Sequence, residues 1–269
     1  MTEKKTVLGL VGSPNPDGLT NQLVTAALDG AQENGATIEK LQMSEYVVDP
    51  CQDCLPWTCL QTLECKYNDE NFEFLNEKIL DCSALILGTP VYWWDTSAMV
   101  KYLILKMFRV FAMSGPLNGL PALGLAIAGG SGTGLVSGLK PVYHFFQIMR
   151  MRAIDPVPAT RFDFDKALSK AMEQGRQIGK MSESRERFDS WEECLLRYDS
   201  LRYIGDDNAS EIRLVAELAA EAVESERKCD ISGDLAHADH LATSGKVLES
   251  MTETLKVYQS SAGLFGKQQ

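Results

Sequence analysis

Apolar residues in the first part of the chain fall into two alternating patterns. Some form short unbroken runs, such as Leu123–Ile127, and such a run is typical of a parallel strand that is covered on both faces. Others recur at helical spacing. The runs predict five strands, at Val7–Val11, Thr37–Leu41, Ala84–Leu87, Ala122–Ala128 and Ala153–Val157. The helical spacing predicts five helices between and after them, at Leu19–Asn34, Asn71–Asp81, Ser97–Met113, Gly138–Met149 and Phe164–Met181.

The regular alternation of strand and helix predicts the fold class. Five β–α repeats imply an α/β protein with a doubly wound, five-stranded parallel sheet and helices on both faces. In such a sheet, ligands bind in the crevice at the carboxyl ends of the strands. We therefore expect the loops that follow the first, third and fourth strands to converge on one site.

The pattern changes after Met181, where the strand signal ends. Glu183–Ser200 is charged and helical in character, and two later apolar stripes predict further helices. Asn208, with the acid Glu211 three residues on, has the form of a helix N-cap. The sequence thus predicts two regions, a sheet domain over residues 1–182 and a helical C-terminal extension over residues 183–269.

The stretch Thr6–Asn21 joins the first strand to the first helix through a turn with hydroxyl and amide side chains. This arrangement directs backbone N–H groups and a helix N-terminus at an anion. The stretch has neither the G-x-G-x-x-G dinucleotide fingerprint nor a Walker lysine. A phosphate that is held without a lysine is what a flavin mononucleotide (FMN) site needs. The alternative is a buried strand followed by an ordinary capped helix.

Two further loops follow buried strands. After the third strand, Gly88–Trp94 places three aromatic residues over the predicted crevice, where an isoalloxazine ring needs flat apolar faces and peptide N–H groups. Two adjacent tryptophans cannot both point inward from one loop, so a ligand site or a subunit interface is favoured over a core cluster. After the fourth strand, Gly129–Gly134 carries four glycines, which let the backbone approach a ligand closely.

Together these three loops resemble those of the flavodoxin-like NAD(P)H-dependent FMN reductase family. The likeness runs from about Thr6 to Met181 and implies a flavodoxin-like fold with strand order 2-1-3-4-5 and an FMN-binding domain over residues 1–182. It also implies which residues bind the cofactor. Those of the phosphate loop are Ser13, Asn15, Gly18, Thr20 and Asn21. Those beside the flavin ring are Pro90, Val91, Tyr92, Trp93, Trp94, Gly130, Ser131, Gly132 and Gly134.

Four of the seven cysteines lie close together, at Cys51, Cys54, Cys59 and Cys65. Iron–sulfur flavoproteins of the same family carry a C-x2-C-x2-C-x5-C run at this place, and the run here is C-x2-C-x4-C-x5-C. By resemblance the chain therefore lies in the iron–sulfur flavoprotein-like branch. Four thiolates satisfy a [4Fe–4S] cluster, and a tetrahedral zinc site accepts the same ligands. Free or redox-active thiols are the third interpretation.

The resemblance implies an enzyme in which NAD(P)H reduces bound FMN and the electrons pass to a flavin, a quinone or an iron–sulfur acceptor. The flavin N5 atom accepts the hydride directly, so no catalytic side chain is expected. Two rival interpretations are a non-enzymatic electron carrier like flavodoxin and a thiol-based redox sensor. Members of the family commonly dimerise or tetramerise, so a homodimer or homotetramer is predicted.

Charge and composition narrow the range of partners. The net charge is −11, which argues against nucleic acid as a partner. The acidity is uneven, with a net charge of −3 up to Ser182 and −8 beyond it, which is typical of a solvated helical surface. No apolar run is long enough to predict a membrane span. The odd total of seven cysteines, the clustering of four of them and the lack of an export signal together predict a reducing compartment, the cytoplasm.

Overall fold

The computed structural model of the protein describes residues 6–112, 114–224 and 228–267. The strands are β1 (Thr6–Val11), β2 (Thr37–Gln42), β3 (Ala84–Pro90), β4 (Pro121–Ala128), β5 (Arg152–Ala153) and β6 (Val157–Thr160). The helices are α1 (Leu19–Glu33), α2 (Cys59–Thr62), α3 (Glu70–Asp81), α4 (Ala98–Phe111), α5 (Leu135–Ile148), α6 (Phe164–Met181), α7 (Trp191–Asp199), α8 (Asn208–Glu221), α9 (Lys228–Thr243) and α10 (Val247–Phe265). Within these described ranges, no helix has the length and apolar character that a bilayer span requires.

The strands form one parallel sheet in the order β2-β1-β3-β4-β5, with β6 also paired to β4. The flavodoxin-like, doubly wound prediction is therefore confirmed. Strand β1 shows why its sequence is an unbroken apolar run. Val7 and Val11 pack on one face of the sheet, while Leu8 and Leu10 pack on the other, so both faces of the strand enter a core.

Helices cover both faces of the sheet and extend beyond it. Helices α1 and α6 cover one face, and α3, α4 and α5 cover the other. Helix α7 adds Cys194 and Tyr198 to the second of these cores. Helices α8, α9 and α10 share a small core of their own, and α8 also packs Val215 against Ala128 and Leu135 at the end of β4. The C-terminal extension therefore reaches the sheet at its ligand-binding edge.

The fifth strand differs from the prediction of one continuous segment. It consists of β5 and β6, which are separated by residues 154–156 and pair with different parts of β4. The Tyr143 hydroxyl lies in the gap, where it accepts a hydrogen bond from the Gly124 N–H (3.2 Å) and donates one to the Ile154 carbonyl (2.8 Å). The Tyr143 side chain thus takes the place of a backbone hydrogen bond between the two strands. The apolar periodicity of the sequence cannot predict such an interruption.

Candidate functional site

The loop after β1 folds on its own polar groups. Ser13 is buried, and its Oγ accepts a hydrogen bond from the Asn15 N–H (3.2 Å). The Asn15 Oδ1 accepts one from the Asp17 N–H (3.0 Å), and the Asn15 carbonyl accepts one from the Gly18 N–H (3.2 Å). Ser13, Asn15 and Gly18 therefore fix the shape of the loop. The turn leads straight into α1, whose N-cap is Gly18.

The start of α1 fits an anion. Among the described residues, no side chain caps this N-terminus, since Gly18 has none to offer. Thr20 is buried in the first turn of α1 and Ser13 is buried in the loop before it, and each hydroxyl can donate a hydrogen bond. Uncapped N–H groups and buried hydroxyls are the donors that a phosphate monoester needs, so the residues present fit the FMN phosphate.

Side chains and backbone groups join the loop after β1 to the loop after β3. The Gly12 N–H donates to the Gly88 carbonyl (2.8 Å), and the Ser97 hydroxyl donates to the Gly12 carbonyl (2.6 Å). A Cβ on Gly12 would lie 2.7 Å from the Gly88 oxygen, so only glycine permits this approach. The Ser97 Oγ also accepts from the Val100 N–H (3.4 Å) and caps α4. One buried hydroxyl thus connects both loops to a helix.

The aromatic loop after β3 forms a tight two-residue hairpin turn. Tyr92 and Asp95 exchange two backbone hydrogen bonds, of 2.9 and 3.1 Å. Trp93 and Trp94 occupy the two central positions with φ of +55° and +59°, the left-handed values of a type I′ turn. That conformation favours asparagine and glycine, and it strains a bulky side chain. The two indoles contact each other edge to face, with centroids 5.5 Å apart.

Trp93→Asn is expected to stabilise the protein by about 1 kcal/mol, because asparagine accepts a left-handed φ more readily than tryptophan. Little burial is lost, since Trp93 is 89% exposed. Urea unfolding monitored by far-UV circular dichroism measures the change. Tyr92→Asn is the control, because Tyr92 lies next to the turn and has no positive φ. An unfolding free energy that does not rise in Trp93→Asn would show that the turn is unstrained.

The glycine loop after β4 meets the aromatic turn across a cavity of about 220 Å³. Its lining consists of Val91, Trp93, Trp94, Ala128, Gly129, Gly130, Ser131, Gly132 and Thr133. A Cβ on Gly129 would lie 3.7 Å from Leu19 at the start of α1, so the cavity adjoins the anion site. The three predicted loops therefore converge at the carboxyl edge of the sheet.

The other residues predicted to bind the ring, and Asn21 of the predicted phosphate loop, do not line this cavity. Pro90 is the buried last residue of β3, and Tyr92 is half-exposed at the base of the turn. Asn21 lies in the first turn of α1. Gly134 lies at the N-terminus of α5 with φ of +81°, and a Cβ there would lie 3.1 Å from Trp94.

Three residues of the extension reach the glycine loop, and the sequence interpretation missed them. Glu211 accepts hydrogen bonds at the start of α5, Val215 packs against the loop, and Tyr258 donates to the Ser131 carbonyl (2.8 Å). The prediction of Asn208 as the N-cap of α8 is wrong by one residue. Helix α8 is capped by Asp207, whose Oδ1 accepts from the Ser210 N–H (2.9 Å). The only sequence signal was the acid at Glu211, which a local capping pattern explained equally well.

The four clustered cysteines form a second feature, on the side of the sheet that carries α4. Cys51, Cys54, Cys59 and Cys65 line one cavity of about 300 Å³, together with the cations Lys106 and Arg109. Burial raises the pKa of the Cys59 thiol, and the neighbouring Cys54 and Cys51 raise it further. Asp53 attaches the loop to α4 through an ion pair with Arg109 (2.7 Å).

The side chains of this cavity are of the type that binds a metal centre, but they lie too far apart to bind one. Four thiols are the ligands of an iron–sulfur cluster or a zinc site. In the ranges that the structure describes, however, no three cysteine, histidine or acidic side chains come close enough to hold one metal ion. A cluster here would require the loop that carries Cys51–Cys65 to contract.

Comparison with known proteins gives a consistent answer. Residues 6–162 match the NADPH-dependent FMN reductase family. An iron–sulfur flavoprotein of Methanocaldococcus jannaschii is 31% identical over 148 residues, which make up 54% of this chain and 73% of that protein. A solved flavone reductase superposes with a TM-score of 0.54 at 16% identity, over 68% of this chain and 66% of its own. The NAD(P)H:quinone oxidoreductase from Methanothermobacter marburgensis superposes with a TM-score of 0.52 at 18% identity, over 65% of this chain and 99% of its own.

The fold and these matches define the class of protein, an FMN-dependent oxidoreductase. More narrowly, the chain belongs to the NADPH-dependent FMN reductase family, in its iron–sulfur flavoprotein branch, as the sequence predicted. The structural likenesses bear on the fold alone. The family match ends at residue 162, so the helices α6 to α10 lie outside it.

Proposed function

We propose that this protein oxidises NAD(P)H and passes the electrons through FMN to a small flavin or quinone acceptor. One observation carries the proposal. An uncapped helix N-terminus with two buried hydroxyls adjoins a cavity that is lined by aromatic and glycine residues, at the edge of the sheet where ligands bind. The membership of the family supports the same assignment.

Each group of residues has a separate task in this site. Ser13 and Thr20 would donate to the phosphate along with the N–H groups of the first turn of α1, and Asn21 would border it. The lining of the cavity would hold the flavin ring and exclude water from it. FMN held there would supply the hydride and electron chemistry that links a reduced nicotinamide to an acceptor. The proposed FMN-binding unit is residues 1–182.

Thr20→Val is expected to weaken FMN binding by on the order of tenfold, because it removes one donor to a charged group and keeps the shape of the side chain. Quenching of flavin fluorescence on titration measures the dissociation constant. Riboflavin lacks the phosphate, so its affinity should stay unchanged. Thr25→Val is the matched control on the same helix, since the Thr25 hydroxyl accepts from Lys40 at the surface. An equal loss for FMN and riboflavin would contradict the phosphate site.

Anaerobic addition of NADPH or NADH to the flavin-loaded protein tests the reaction itself. We expect one of the two nicotinamides to bleach the flavin absorbance, and a quinone or free flavin to restore it. A flavodoxin-like carrier would bind FMN without being bleached. Failure to bind FMN at all would overturn the proposal and leave the thiol-based sensor as the rival.

We also propose that the cavity lined by the four cysteines is an iron–sulfur site. Its four thiols are the ligands that such a cluster needs, and relatives of this chain are named iron–sulfur flavoproteins. Iron and acid-labile sulfide assays on protein purified without air decide the point. Zinc without sulfide would mean that the cavity is a zinc site. If neither iron nor zinc is found, the four thiols are free.

The proposed homodimer or homotetramer has a candidate surface between α4 and α5. Ile104, Leu105, Phe108 and Ile148 line an open apolar groove there, and Leu105 and Phe108 are exposed. An apolar surface of this kind favours association with another protein surface. Sedimentation at micromolar concentration measures the state, and a monomer would contradict the proposal.

A further inference from the structure

The helical extension touches the glycine loop at three successive places. The Tyr258 hydroxyl of α10 donates to the Ser131 carbonyl (2.8 Å). A Cβ on Gly132 would lie 2.9 Å from the Val215 side chain of α8. Glu211 of α8 accepts from the Gly134 N–H (2.6 Å). The loop that lines the proposed flavin cavity is thus held from outside by elements that lie beyond the family match.

Glu211 makes the most specific of these contacts. It is a carboxylate at 6% exposure, and besides Gly134 it accepts from the Ser137 N–H (2.9 Å) and the Ser137 hydroxyl (2.7 Å). These donors lie at the N-terminus of α5, whose own N-cap residue is Gly134 and has no side chain. Three hydrogen-bond donors at the positive end of α5 therefore meet on one buried carboxylate from another helix.

We propose that Glu211 is a positioning residue for the flavin loop, and that the extension is therefore part of the flavin site. The inference rests on the proposed function. Glu211 accepts the hydrogen bond of the Gly134 N–H, so this N–H group is no longer available as a donor to the flavin. Its carboxylate also places a negative charge at Gly134, the residue after Thr133, and Thr133 lines the cavity. That charge offsets the positive end of the α5 dipole, which would otherwise favour an anionic reduced flavin.

The test substitutes Glu211→Gln, which keeps the size of the side chain and removes its charge. We expect the dissociation constant for oxidised FMN to rise about tenfold as the loop loses its anchor. We also expect reduced FMN to gain about tenfold relative to oxidised FMN. That second change raises the midpoint potential of the bound flavin by about 30 mV for the two-electron couple. Flavin titration and spectroelectrochemistry measure the two effects separately.

Glu217→Gln is the matched control, because it makes the same change on the same helix. The Glu217 carboxylate pairs with Arg213 (3.1 Å) at the surface, so both the affinity and the potential should stay at the values of the unsubstituted protein. Glu211→Asp keeps the charge, and it should restore the potential while the affinity stays reduced. A Glu211→Gln protein that melts earlier with an unchanged potential and affinity would reduce Glu211 to a structural cap and overturn the proposal.

Tyr258→Phe keeps the proposal testable if Glu211→Gln does not fold. It removes only the hydroxyl that holds the Ser131 carbonyl, and FMN affinity should fall a few-fold without a change in potential. Unchanged affinity in this variant would show that the extension does not hold the loop. If the unsubstituted protein bound no FMN, the proposed function itself would fail, and that result is distinct from every outcome above.

Discussion

Alanine in place of Gly175 is expected to destabilise the protein by about 3 kcal/mol or more, at the upper end of what overpacking costs. Gly175 lies in α6 where it crosses α1. A Cβ there would lie 2.7 Å from the carbonyl carbon of Ala27 and closer still to its oxygen. The obstacle is backbone, which no rotamer change can relieve. Gly179 of α6 also comes close to the Ala31 backbone, and Gly30 of α1 to the Met172 backbone, so the two helices pack main chain to main chain.

Urea unfolding at neutral pH measures this loss, and Gly233→Ala is the control. Gly233 lies within α9, and a Cβ there would meet nothing within 4 Å. The same substitution should therefore stabilise the protein at that position by about 0.5–1 kcal/mol, because alanine is the better helix former. Similar effects at the two sites would contradict the close crossing. Because α1 carries the proposed phosphate site, weaker FMN binding should accompany any surviving Gly175→Ala protein.

Asp69→Asn is expected to cost about 3 kcal/mol, because it leaves the Lys106 ammonium buried without its partner. Both side chains are 4% exposed and form an ion pair beneath the cysteine cavity. Asp69 also accepts from the Phe72 N–H (3.0 Å) and the Asp49 N–H (2.9 Å), so it caps α3 and holds the start of the cysteine loop. Chemical denaturation at pH 7 provides the measurement.

The acid dependence of stability gives this prediction a second readout. Burial by itself raises the pKa of Asp69, but hydrogen bonds from Lys106 and from the Phe72 and Asp49 N–H groups outweigh it and hold the pKa below its ordinary value. The unfolded chain therefore binds the proton first. The stability that Asp69 contributes is complete above about pH 4 and is lost as the pH falls through the folded pKa. In Asp69→Asn this part of the acid dependence should vanish.

Glu33→Gln serves as the control for the ion pair. Glu33 pairs with Arg176 at 2.6 Å between α1 and α6, but both side chains are about half exposed. An exposed pair contributes little, so the change in unfolding free energy should be small and salt-dependent. Equal losses from Glu33→Gln and Asp69→Asn would show that burial does not set the strength of the Asp69–Lys106 pair.

Some parts of the site followed directly from local sequence patterns. The order of strands and helices, and the three loops at the strand ends, were predictable because a parallel strand buried on both faces appears as a run such as Ala84–Leu87. The conformation of the aromatic loop could not be predicted from the local sequence. A type I′ turn is normally signalled by asparagine and glycine, and here Trp93 and Trp94 occupy it against their backbone preference.

By itself, the sequence determined the fold class, the family and the loops that meet at the sheet edge, because these depend on residues close together in the chain. Only the tertiary structure decided that Tyr143 interrupts the fifth strand and that Glu211 closes the glycine loop. Glu211 and Gly134 are 77 residues apart, and nothing local distinguishes an acid that caps its own helix from one that caps another. The contact exists because α8 docks on the end of β4, and packing of that kind has no local periodicity to reveal it.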